Sequence, residues 1–325
     1  MTIDRRTLLL TSLSLLAAGA ARAEDPPPSP YQGNPAWPPK ETFPLWPGAA
    51  PGQPDVPPKP NWTMNGGKDY RQIYIEGVAV PELHVIRPKK SNGIGLLTLP
   101  GGGYHFLAVQ NEGIDAGRAF TPHGVTVFVL TYRLPTEGWA HRENVPLQDA
   151  QRAMRLIRAR AHEFGIDPAK IGVLGFSAGG HLAASLATGY DEAVYNPVDT
   201  ADKLSARPSF AGLIYPVIDM HEPLTHAGSR DGLLGDTPSP AQLDARSPQM
   251  RVTAETPPCF LAHAFDDGLV PPGNSLEMAA ALREKSVAAE LHIFEKGGHG
   301  FGFHLPRDMP GSHWPELFNA WISRR

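Results

Sequence analysis

The chain has 325 residues, a formal net charge of −4 and one cysteine, Cys259. That length suffices for one large α/β domain with its own core, even after loss of a leader. The charge offers no basic field for nucleic acid, the lone cysteine excludes an intrachain disulfide, and no repeat with the period of a solenoid or propeller blade is visible.

The first element in chain order is a leader. Asp4-Arg5-Arg6-Thr7-Leu8-Leu9-Leu10 gives paired arginines, an apolar run extends to Ala21, and Ala21-Arg22-Ala23 forms a small-x-small cleavage site before Glu24. Residues 1–23 are therefore expected to be an export signal. The paired arginines favour the twin-arginine route, with the mature protein periplasmic or secreted. The apolar run is shorter than the ~20 residues that span a bilayer, so no stable membrane anchor is expected. Residues 24–66 are crowded with proline, which lacks an amide donor and disfavours helix. An extended, largely polyproline-like segment is expected there, with Trp37, Trp46 and Trp62 packing on the body.

The body, 67–325, alternates strands and helices. Residues 70–75 and 83–87 read as an opening antiparallel pair, and 95–99 and 125–131 as buried strands. A helix is expected over 146–163, with Leu147, Ala150, Ala153, Met154, Ile157 and Ala161 on one face and Gly165 ending it. Then come a strand at 171–175 and a helix at 178–188. Later strands are expected at 212–215, 259–264 and 289–294, and later helices at 275–285 and 314–323. This alternation predicts an α/β fold with a mainly parallel sheet covered by helices on both faces. Residues 221–258 lack a strong period and read as a cap or insertion over the strand ends.

The chemistry concentrates at four places. Gly175-Phe176-Ser177-Ala178-Gly179 is a G-x-S-x-G turn between a predicted strand and helix, the context in which a serine is presented as a nucleophile. A serine hydroxyl needs a base, and the base an orienting acid. Gly297-Gly298-His299-Gly300 supplies a histidine on a flexible loop after the last strand, and Asp266-Asp267-Gly268-Leu269-Val270-Pro271 supplies carboxylates at the end of another. Ser177 is thus expected to be the nucleophile, His299 the base and then the acid, and Asp267 the orienting carboxylate. Asp266 is its nearest rival and is otherwise a loop-capping or solvent-facing group. Gly101-Gly102-Gly103, after a buried strand, lets backbone amides approach a ligand. The amides of Gly102, Gly103 and Ala178 are expected to form an oxyanion hole. Tyr104 and His105 are candidates for lining the pocket. His181 is expected to pack or hydrogen-bond beneath the turn, Glu112 to be a surface carboxylate, and Arg133 to sit in a structural ion pair. No cluster has the spacing of a zinc or calcium site, and no cofactor is expected.

These motifs resemble the α/β-hydrolase superfamily, and within it the esterase branch related to acetyl xylan esterases and other carbohydrate acetylesterases. The similarity runs from about residue 43 to the C-terminus. It includes Leu45-Trp46-Pro47-Gly48, Pro146-Leu147-Gln148-Asp149-Ala150 and Tyr215-Pro216-Val217-Ile218-Asp219-Met220. Pro100 departs from the histidine that lipase-like relatives carry before the glycine loop. The resemblance implies hydrolysis of a short acyl ester, acetyl foremost, from a sugar hydroxyl. The alternatives are a general small-ester esterase or lipase and a prolyl-oligopeptidase-like peptidase. Against the peptidase stands the absence of propeller repeats, and against a non-catalytic binding module stands the presence of serine, histidine and acid together.

Overall fold

A computed structural model describes residues 37–65 and 72–325. The expected leader, residues 24–36 of the proline-rich segment and residues 66–71 lie outside these. Among the described residues no helix is long and apolar enough to cross a membrane.

Among the described residues ten strands form: β1 Glu41–Pro44, β2 Asn61–Asn65, β3 Gln72–Glu76, β4 Glu82–Ile86, β5 Gly95–Leu99, β6 Thr126–Thr131, β7 Ile171–Phe176, β8 Ala211–Ile214, β9 Cys259–Ala264 and β10 Ala289–Phe294. Eight of them make one sheet in the order β1-β4-β6-β5-β7-β8-β9-β10, parallel from β6 to β10 and antiparallel at the β1-β4-β6 edge. Every residue of β5 to β9 is buried. Continuous apolar runs such as Thr126-Val127-Phe128-Val129-Leu130-Thr131 suit strands covered on both faces. Edge strand β10 is only half-buried.

The expected pairing of residues 70–75 with 83–87 does not form. β3 pairs with β2 in a separate two-stranded sheet, with Asn61 opposite Glu76, while β4 lies between β1 and β6. The link between β3 and β4 is a corner rather than a hairpin turn. Gly77 has φ +69, and the Gly77 and Val78 amides donate to the Glu137 carboxylate, Val78 at 3.0 Å. The proline-rich stretch thus contributes one strand to each sheet, which its composition did not disclose.

The helices are α1 Asp115–Phe120, α2 Val145–Ala159, α3 Ala161–Phe164, α4 Ala178–Gly189, α5 Ala227–Leu234, α6 Pro240–Ala245, α7 Gly273–Glu284 and α8 Trp314–Ile322. The helix expected over 146–163 breaks at Arg160 into α2 and α3, and Gly165 closes it at φ +64. α2 packs on α4 over β5 and β7, and α1 packs on α8 near β6 and β9. Phe120, Phe303, Trp314, Phe318, Phe260 and Trp321 form a chain of ring contacts between α8 and the sheet.

Arg133, after β6, pairs with Asp149 on α2 at 2.8 Å with both side chains fully buried. Trp46 Nε1 donates to the same carboxylate at 2.9 Å, and Arg133 Nη1 donates to Pro51 O at 2.6 Å. A buried ion pair persists where its remaining hydrogen-bonding capacity is met. Here the N-terminal segment meets part of it and is pinned to the body in return. Between β8 and β9, α5 overhangs the glycine loop, where a Cβ on Gly232 would lie 2.7 Å from Gly103 O.

Candidate active site

β7 runs directly into Ser177, which has φ 53 and ψ −119 and opens α4. A non-glycine residue at positive φ is strained and persists only when its surroundings hold it. Here Ser177 N–H donates to Ile214 O at 3.1 Å, and Val217 N–H donates to Ser177 O at 3.1 Å. The flanking glycines are sterically required. A Cβ on Gly175 would run into the Gly179 carbonyl, and one on Gly179 into the Leu99 carbonyl.

His299 Nε2 lies 2.9 Å from Ser177 Oγ, and His299 Nδ1 lies 2.7 Å from Asp267 Oδ2. An ionised carboxylate only accepts, so Nδ1 carries the ring proton and the Nε2 lone pair faces the hydroxyl. Leu269 and Val270 amides both donate to Asp267 Oδ1 at 2.9 Å. Burial acts to raise the Asp267 pKa, but hydrogen bonds from His263 and His299 outweigh it and hold the carboxyl well below the usual range.

Asp266 points elsewhere. It is exposed, and its Oδ1 accepts from the Gly297 and Gly298 amides at 2.9 Å each. These bonds shape the approach to His299. The loop beyond is fixed from the other side, where Asn111 Nδ2 donates to Gly300 O at 3.1 Å and Gly302 N–H donates to the Tyr215 hydroxyl at 3.1 Å.

The glycine loop lies against the serine, since a Cβ on Gly101 would sit 2.9 Å from Ser177 Cβ. Gly102 and Gly103 have φ +128 and +63, and a Cβ on Gly102 would meet the Phe106 carbonyl. The amides of Gly102, Gly103 and Ala178 donate to no backbone carbonyl among the described residues. Gly101 N–H is already taken, donating to Glu112 Oε2 at 2.5 Å.

Glu112 is not the expected surface carboxylate. It is 4% exposed, lies in a single π turn, Gln110–Ile114, and accepts from the Tyr215 hydroxyl at 2.9 Å. Burial pushes its carboxyl up, partly opposed by the Gly101 and Tyr215 donors. Tyr104 also corrects its expectation. Its side chain is buried and its hydroxyl lies 2.6 Å from His181 Nδ1, so the phenol faces the core beneath the turn rather than a pocket. His181 completes this support with Nε2 2.7 Å from Arg246 O. His105 is exposed beside the loop, its Cδ2 3.6 Å from a Cβ on Gly103.

Two histidines near the site escaped sequence reasoning. His263 is fully buried. Its Nε2 faces two acceptors, Val270 O at 3.0 Å and Asp267 Oδ2 at 3.2 Å, and its Nδ1 lies 2.8 Å from Ser275 Oγ. It therefore donates to Asp267 from below. Its only sequence signal was its place on β9, four residues before the aspartate. His226, at the start of α5, lies in the segment without period.

The mostly parallel sheet and its surrounding helices form the α/β-hydrolase fold. Residues 86–282 match the BD-FAE family, and the chain belongs to it. The chain is 38% identical over 205 residues to "Endo-1,4-beta-xylanase B" of Butyrivibrio fibrisolvens, covering 63% of this chain and 32% of that protein. It is 34% identical over 221 residues to "Acetylxylan esterase" of Xylanibacter ruminicola, covering 66% and 42% respectively. The chain thus spans about a third to two-fifths of the length of these curated relatives. Among solved structures, an acetyl ester-xyloside bifunctional hydrolase from Caldicellulosiruptor lactoaceticus superposes with a TM-score of 0.72 at 35% identity, covering 88% of this chain and 97% of that one. A thermophilic esterase from Thermogutta terrifontis gives 0.62 at 25% identity, covering 75% and 88%.

Proposed function

We propose that this protein is an exported serine carboxylic-ester hydrolase that removes short acyl groups, acetyl foremost, from carbohydrate. The observation that carries the reading is the continuous chain Ser177–His299–Asp267 with a glycine loop against the serine. The names of the similar proteins supply the substrate class.

In this reading Ser177 Oγ attacks the ester carbonyl while His299 Nε2 takes its proton. Asp267 keeps the ring in the required tautomer and stabilises the imidazolium. The amides of Gly102, Gly103 and Ala178 hold the oxyanion, each worth about 3 kcal/mol of barrier. His299 then protonates the departing alcohol, and water attacks the acyl-serine by the reverse route. Protein groups carry every step, so no cofactor is required. His105 belongs to this proposal as a residue at the mouth of the site, and residues 1–23 as the leader that takes the enzyme to an extracytoplasmic polymer.

The test is a rate series on aryl acetate, butyrate and octanoate, then on acetylated xylan, each against Ser177→Ala. Serine-dependent acetate turnover that falls steeply with acyl length, with acetate released from the polymer, is the expected result. Preference for longer chains assigns a general esterase or lipase instead, and no serine-dependent turnover removes the reading.

A further inference from the structure

His226 is a side chain that the mechanism above does not use. It caps α5, with Ser229 N–H donating to its Nδ1 at 3.3 Å and the Ser229 hydroxyl 2.8 Å from the same nitrogen. A backbone amide can only donate, so Nδ1 is an acceptor and the neutral ring carries its proton on Nε2. Burial, and then the electrostatic interaction with the neighbouring His299 imidazole, lower the His226 pKa and favour that neutral form. Ser229 is fully buried, so the ring is anchored at its inner edge. Its outer edge is at the site, with Cε1 4.0 Å from where a Cβ on Gly103 would sit. No hydrogen bond to Nε2 forms among the described residues, and the side chain is only partly buried.

A fixed donor beside an oxyanion loop has few uses. The carbonyl oxygen of an ester is served by the three backbone amides, and an acetyl group has no other acceptor. Only the alcohol half of the substrate can then occupy Nε2–H, and only if it carries oxygen beyond the ester linkage. His105 lies near the same position, its Cδ2 3.6 Å from where a Cβ on Gly103 would sit, and its Nε2 donates to Gly228 O at 3.3 Å, leaving its Nδ1 an acceptor. One imidazole donor and one imidazole acceptor together match a hydroxyl, which both gives and takes a hydrogen bond.

We propose that His226 is a specificity-determining residue whose Nε2–H donates to an oxygen of the alcohol half, selecting polyhydroxylated alcohols over simple ones. The proposal rests on the esterase reading above. Two variants separate recognition from capping. In His226→Asn the side-chain oxygen replaces Nδ1 and keeps the cap, but the distal donor is lost. In His226→Gln the amide reaches the distal position while the cap is lost.

The measurement is the ratio of kcat/KM for an acetylated xyloside to that for an aryl acetate, with Tm recorded for each variant. The expected result is a ratio about tenfold lower in His226→Asn at unchanged Tm, and partly restored in His226→Gln despite a lower Tm. An unchanged ratio in His226→Asn overturns the proposal. So does an equal fall on both substrates that follows Tm, which assigns a capping role alone. Loss of Ser177-dependent turnover on every ester in the unsubstituted enzyme would instead remove the esterase reading itself.

Discussion

Adjacent carboxylates, Asp266 and Asp267, face different partners: one supports the loop that carries His299, the other the imidazole itself. Asp267→Asn presents an amide where a carboxylate must accept from Nδ1–H, and it is expected to lower kcat by about 10⁴-fold. Asp266→Asn keeps an oxygen for the two glycine amides and is expected to lose far less. Steady-state rates on one aryl acetate rank the two variants, and the reverse order contradicts the proposed role of Asp267. The pair could be read in sequence from its place at a strand end. Which member turns inward depends on the bonds from Leu269 and Val270 to Asp267 Oδ1, a turn geometry that composition does not encode. His263 was invisible for a related reason. A histidine within an apolar strand looks like core until its partner across the turn is known.

The π turn at 110–114 joins the two loops that flank the serine. Through Glu112, Tyr215 and Asn111 it ties the glycine loop at Gly101 to the histidine loop at Gly300 and Gly302. Glu112→Ala removes the bond from the Tyr215 hydroxyl and leaves the buried Gly101 amide without its carboxylate acceptor, at a cost of about 1–3 kcal/mol for that amide. It is expected to lower both Tm and kcat, whereas Glu112→Gln, which retains a carbonyl for Gly101, is expected to lose less of each. Thermal unfolding and kcat measured together decide this, and an unaffected kcat in Glu112→Ala means that the network does not position the site. Little of this element was legible. A π turn has no simple side-chain period, and the partner that makes burial of Glu112 tolerable lies 103 residues away. The parallel strands β5 to β9 were legible because both their faces are buried, so their apolar runs are continuous. The β2–β3 pair was not, because β2 lies in a stretch whose prolines argue against regular structure, and the Glu137 contact that turns the chain after β3 is remote in sequence.

At the scale of the molecule, two neutral histidines tie stability to pH. Burial pushes the pKa of His84 down from 6.5 to about 3 and that of His181 to about 4. Below 6.5 the unfolded chain takes up these protons and the folded chain does not, so stability rises with pH between the folded and unfolded values. Acidification through this window is expected to cost up to about 1.4 kcal/mol per pH unit for each imidazole. Denaturant unfolding across the window measures the slope, and His84→Gln should flatten it. An unflattened slope means that His84 is protonated in the fold. In the proposed mechanism Ser177 carries the acyl group covalently. The most direct test is rapid quenching of the enzyme with an aryl acetate, followed by peptide mass spectrometry. A transient acetyl adduct is expected on the peptide containing Ser177, absent from Ser177→Ala, which also loses turnover at unchanged Tm. An adduct on another residue, or turnover that survives in Ser177→Ala, would contradict it.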